Sequence, residues 1–82
     1  MTKELKKDLE EIVREFLFEP CDAKTKNEIK NALLRVLHRH DISEKRSSII
    51  MESFGSQITV CLHLDDRLFE CNVPGEFIEL QD

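Results

Sequence analysis

Apolar positions along this chain follow two different periods. Leu5, Leu9, Ile12, Val13 and Phe16 fall on one stripe at the helical period, while Glu4, Lys7, Asp8, Glu11 and Arg14 lie off it. The stripe predicts a first helix that finishes near Phe18, because Pro20 pushes Glu19 out of helical dihedrals. Ile29, Ala32, Leu33, Val36 and Leu37 make a second stripe of the same period. Two start signals precede it: Asp22 as an N-cap, and Thr25 with Glu28 as a T-x-x-E capping box.

After Asp41 the period falls to two. Ile49 and Met51 alternate with polar neighbours, then Ile58, Val60, Leu62 and Leu64, then Phe69, Cys71 and Val73. Gly55-Ser56 suits a type II′ hairpin turn and Asp65-Asp66 marks the next reversal. A two-residue turn at Asp65-Asp66 pairs Leu62 with Phe69, Val60 with Cys71 and Ile58 with Val73. A three-residue turn would set Leu62 against Glu70, which burial of one face forbids. Pro74-Gly75 breaks the third strand, leaving Phe77, Ile78 and Leu80 to form either a short fourth strand or a packed tail. The expected fold is α+β: one domain spanning residues 1–82, with two N-terminal helices on one face of a three-stranded antiparallel meander.

Composition narrows the class. Charged residues are 35% and hydrophobic residues 40% of the chain, the balance of a globular domain rather than a disordered tail. With 82 residues the core is small, so extra stability from a disulfide, a metal or a partner is expected. The longest uncharged run, Ser53–Leu64, is broken by polar residues and does not span a membrane, and the charged N-terminus does not read as a signal peptide. A cytoplasmic location is the expectation. Residues 1–46 carry eleven Lys/Arg against ten Asp/Glu; residues 47–82 carry only Arg67 against seven acids. That acidic half would repel a phosphate backbone.

Candidate chemistry is sparse. Cys71 is expected inward and Cys61 on the opposite face, so the two do not bridge; Cys21 precedes a helix start with no His or second Cys beside it in sequence. His38 and His40 are roughly 200° apart on a helix, and Cys61 with His63 supplies at most half a metal set. Asp65 and Asp66 read as turn formers. The second helix has a basic side, Lys24, Lys26, Lys30, Arg35 and Arg39, but no aromatic residues interleave for base stacking, so nucleic acid is disfavoured. No phosphate loop, nucleophile elbow or zinc-protease motif occurs, and neither catalysis nor a cofactor is expected.

The joint between the helices holds more information. Phe18 is placed to staple the turn, Pro20 stops the first helix, Asp22 and Thr25 start the second, and Ile29 opens its buried stripe. The string LFEPCDAKTKNEIKNAL also resembles contractile-injection proteins: the baseplate-wedge, tail-lysozyme-like family of myophages and type VI secretion, with its F-E-P-x-D-x-x-T-x-x-x-I segment. The C-terminal domain of tail sheath proteins has a similar segment. Phe18, Glu19, Pro20, Asp22, Thr25, Ile29, Ala32 and Leu33 carry the match, which covers roughly residues 12–64 together with the following strands. Cys21 stands where the family has Asn, the glycine-containing segment upstream is replaced by the first helix, and Arg39-His40-Asp41-Ile42 replaces an E-P-R turn.

The resemblance implies a non-enzymatic virion component, bound to tail or baseplate subunits and present in the host cytoplasm before assembly. Candidate partner-binding residues are Phe18, Glu19, Pro20, Asp22, Thr25 and Arg39, joined by Ile50, Phe54 and Leu68, which project from the less covered sheet face. Either an edge strand adds a neighbour's strand, giving a homo-oligomer or part of a larger assembly, or the segment 74–82 covers that face. A second reading is a small acidic regulatory protein, such as a phage-encoded inhibitor or secretion chaperone, that blocks a basic partner with its acidic half.

Overall fold

A computed structural model describes residues 1–80 of the chain. Its elements are α1 (Lys3–Arg14), α2 (Ala23–Arg39), β1 (Ser47–Phe54), β2 (Gln57–Leu64), β3 (Arg67–Asn72) and β4 (Ile78–Leu80). The fold is α+β: an antiparallel sheet in the order β1-β2-β3-β4, with both helices against one face. The expected meander is present, and the last segment is a fourth strand rather than a packed tail.

Helix α1 starts at Thr2, whose side chain accepts the Leu5 N–H at 3.1 Å. It ends at Arg14, one turn before the expected Phe18. From Glu15 to Leu17 each N–H reaches back three residues instead of four, to Ile12, Val13 and Arg14. The tighter winding ends the α-helix before Pro20 imposes its limit. Helix α2 begins at Asp22, whose carboxylate accepts the Thr25 N–H at 2.8 Å. The alternative start at Thr25 and Glu28 is not used. That bond also holds the Asp22 carboxyl below its usual range. At the far end Asp41 adopts a left-handed φ of 59°. Its N–H bonds the His38 carbonyl and the Ile42 N–H bonds that of Leu37, a Schellman closure with Asp in the place glycine usually takes.

The strand register follows the burial argument. Leu62 faces Phe69 and Val60 faces Cys71, and the Val73 N–H donates to the Ile58 carbonyl at 2.9 Å. Both hairpins close on two residues, Gly55-Ser56 and Asp65-Asp66, with Gly55 at φ 64° and Asp65 at φ 55°. Arg46 grips the Asp65 carboxylate with two nitrogens at 3.0 and 2.9 Å, fixing the second turn against the start of β1. Gly75 is a position only glycine fits, since a Cβ there would lie 2.8 Å from the Asn72 carbonyl oxygen.

One core joins the layers: Leu5, Leu9 and Val13 from α1; Ile29, Leu33, Val36 and Leu37 from α2; and Ile49, Ile58, Val60, Leu62, Leu64, Phe69, Cys71 and Phe77 from the sheet side. Among the described residues a single carboxylate enters it. Glu10 is buried, accepts the Phe77 N–H at 2.8 Å and lies 3.7 Å from Lys6. This contact ties the segment before β4 to α1 across 67 positions of sequence. His40 and Asp8, 2.8 Å apart, link the end of α2 to α1.

Candidate functional site

Side chains on the helix-free face come from the alternate residues of each strand, and their neighbours are set by register. One row runs Ser48, His63, Leu68, Leu80; the next runs Ile50, Cys61, Glu70, Ile78; a third runs Glu52, Thr59, Asn72. Ile50 is 52% exposed and Ile78 64% exposed, and Leu68 and Cys61 are half-buried between them. The result is an apolar strip across the sheet, flanked on β1 by Glu52 and interrupted on β3 by Glu70, which stands between Cys61 and Ile78. Those carboxylates act on the strip directly: partial burial first, then their negative charge, push the Cys61 thiol above its ordinary value. The segment from Phe77 to Leu80 does not cover this face. Phe77 turns into the core, while Ile78 and Leu80 extend the strip; residues 81 and 82, the end of the segment expected to cover it, lie outside the described residues.

Further exposed apolar side chains lie at one end of the molecule. Phe54, at the tip of the β1–β2 hairpin, is 90% exposed, and Phe18, in the α1–α2 connection, is 94% exposed with Leu17 beside it. Two contacts hold the connection and the hairpin at the same end: the Cys21 thiol donates to the Gln57 carbonyl at 3.8 Å, and Lys26 Nζ donates to Ser53 Oγ at 3.3 Å. Phe18 therefore does not staple the turn. With Asp22 as the cap, the residue in the stapling position is Cys21, which packs against the core in its stead.

The remaining candidates separate by burial. Glu19 and Pro20 are exposed in the same connection, and Asp22 is exposed but occupied as a cap. Thr25 is buried, which corrects its expected place on a binding surface: it sits in the first turn of α2 facing inward. Arg39 is exposed on the rim of a groove of about 780 Å³, which runs between α1 and α2 over Ile12, Phe16, Ala32 and Val36. It is the last residue of the 17-residue α2, at the opposite end of that helix from the α1–α2 connection. The structure thus assembles Ile50 and Leu68 on one face and brings Phe18 and Phe54 to one end, and it separates Arg39 from both. Ile78 and Leu80 belong to the strip as well; their alternation with Phe77 and Glu79 is the signal that places them there.

The described cysteines are free: Cys71 is buried and Cys21 and Cys61 half-buried. Burial, reinforced by the Glu10 charge, pushes the Cys71 thiol up to about 12, the opposite of an activated nucleophile. Among the described residues no group of three His, Cys, Asp or Glu side chains is placed to hold a metal ion, and no helix is long and apolar enough to cross a membrane. No family model, curated protein or solved structure matches the chain.

Proposed function

We propose that this protein is a small non-enzymatic assembly module that works through protein–protein contacts, of the kind the contractile-tail resemblance implies. The observation that carries the reading is the apolar strip of Ile50, Leu68, Ile78 and Leu80 on the sheet face that the helices leave open. Such a strip is a poor surface for a chain that remains alone in water, and a contact that buries it recovers roughly 25 cal/mol per Å² of apolar area. The resemblance adds the loop of Phe18, Glu19 and Pro20. Asp22 and Thr25 of that motif have work inside the fold, as cap and buried first-turn residue. Phe18 has none, and a partner contact is the role left for it. In this reading the protein is made in the host cytoplasm and becomes part of a tail or baseplate.

The test is binding to purified tail sheath or baseplate-wedge subunits, followed by co-elution. Wild type is expected to co-elute, and Phe18→Ala and Ile50→Lys each to weaken binding with the fold intact. Binding should persist from low to moderate salt, because desolvation of apolar area drives it. Absence of binding to every such subunit overturns the reading. Binding that vanishes steeply with salt favours the acidic-regulator alternative instead, for which the observation is the charge imbalance: Glu52 flanks the strip and Glu70 interrupts it, within a half of the chain that carries seven acids and one Arg.

A further inference from the structure

The two edges of the sheet differ in charge and match in geometry. At the β1 edge, the Asp65 N–H donates to the Arg46 carbonyl at 2.7 Å, which makes the even-numbered positions of β1 the ones bonded to β2. Ser47, Ile49, Met51 and Ser53 therefore turn their N–H and C=O groups to the open side. At the other edge, the Val73 N–H bond to Ile58 fixes the same alternation through β3. Leu80 and Ile78 bond to β3, and Glu79 presents its backbone outward. Among the described residues neither edge has a neighbour.

Side chains complete the match. On the helix side, the groove along β1 is lined by Lys26, Asn27 and Lys30 above Ile49 and Met51. Glu79 stands opposite buried Phe69, so it lies on the same helix side of β4, 3.5 Å from Arg67. On the helix-free side, β1 carries Ile50 and β4 carries Ile78 and Leu80. In a sheet of this order β1 and β4 run in opposite directions. A second copy in the same orientation therefore brings its β4 antiparallel to β1, with helices over helices and the apolar strip continuous across the joint. The layers also agree in width: four strands occupy about 19 Å at ~4.8 Å spacing, and two helices at 8–10 Å occupy roughly 16–20 Å.

We infer that the β1 edge of one copy receives the β4 edge of another, so that the protein self-associates head to tail. This rests on the assembly reading and names a second copy as one of its partners. Charge selects this pairing over the symmetric ones. Two β1 edges would bring Lys26 and Lys30 of both copies together, and two β4 edges would oppose their Glu79 side chains; only β1 with β4 sets lysine against glutamate. The contact is heterologous and does not close on itself as a two-fold dimer does. Sheet twist of about 20–25° per strand turns each added copy by roughly 90°, so growth gives a short helical polymer.

Sedimentation velocity against concentration tests this with the full chain. Wild type is expected to rise in mass with concentration past the dimer without a plateau. Glu79→Lys, and separately Lys26→Glu with Lys30→Glu, are expected to lower the association constant about tenfold or more, each by opposing like charges at one edge. An equimolar mixture of the two variants restores association, since each supplies the charge the other lacks. Circular dichroism melting verifies that both variants are folded. A wild type that stays monomeric at every concentration overturns the inference, as does a dimer plateau or a mixture that fails to recover. Each of these leaves binding to tail subunits through Phe18 and Ile50 to be judged by its own experiment.

Discussion

The two faces of this sheet are made from adjacent residues of the same strands. On the helix side Ile58, Val60, Leu62 and Leu64 of β2 are all buried; between them Thr59, Cys61 and His63 look out from the other face. The helix side is dense enough to hide a carboxylate and to satisfy it with the Phe77 N–H. The open side has an apolar strip with one carboxylate, Glu52, beside it and another, Glu70, within it. A sheet with one covered face is a complete solution for an antiparallel domain when the other face is polar. Here the second face is partly apolar. Under the proposed assembly role the difference puts stability on one side and binding on the other, and substitutions one residue apart should separate them.

The largest effect is expected from truncating the covered face. Leu62→Ala removes a fully buried side chain of the core that the helices share with the sheet, opposite Phe69, and should cost about 2–5 kcal/mol in urea unfolding. Ile78→Ala, on the open face, should stay within about 0.5 kcal/mol of wild type. Comparable losses at the two positions would mean that the open face is packed against something in the free protein. A middle-sized effect belongs to Glu10. Glu10→Ala leaves the Phe77 N–H buried without its acceptor, a loss of about 1–3 kcal/mol measured the same way. Lys6→Ala, which removes only the partly exposed partner at 3.7 Å, should cost under about 1 kcal/mol.

What the sequence made legible follows the same division. Both helical stripes, the three-strand register and the inward Cys71 could be read because burying one face allows only one phase of a two-residue alternation. The exact end of α1 could not be read, since the switch from four-residue to three-residue backbone bonds after Arg14 leaves no mark in the pattern of apolar positions. Phe18 looked like a staple because it precedes a helix start, and it failed as one because the cap is Asp22 and the stapling position falls on Cys21. Glu10 was illegible for a different reason. Its partner, the Phe77 backbone, is distant in the chain, and a glutamate beside an apolar stripe looks solvated until the tertiary fold closes over it. The site was half-legible: Ile50, Phe54 and Leu68 fall where alternation puts them, whereas Thr25 looked like surface and is buried.

Smallest at neutral pH, and sharpest as a comparison of the faces, is the behaviour of Cys61 and Cys71. They lie on opposite faces of the β2–β3 ladder, Cys71 opposite Val60 and Cys61 opposite Glu70. Burial raises Cys71 to about 12, whereas Cys61, half-buried beside Glu70 and Glu52, is raised by weaker versions of the same causes. A thiol whose folded value lies above its unfolded one stabilises the protein fully below the unfolded value. That stability is lost as the pH rises through the folded one. The Cys71 contribution is therefore intact below about pH 9 and should decline between pH 9 and 12. Cys71→Ala should start less stable, from its cavity, and lose less over that window; the difference between the two pH profiles isolates the thiol. Alkylation supplies the second readout. Cys61 should react in the native protein, faster as pH rises and its thiolate forms, whereas Cys71 should react only when the helices lift off the sheet. Adding urea below the unfolding transition should then accelerate Cys71 far more than Cys61. If Cys71 labels as fast as Cys61 under native conditions, the covered face is opening locally, and the division of labour between the two faces fails at its best-packed point.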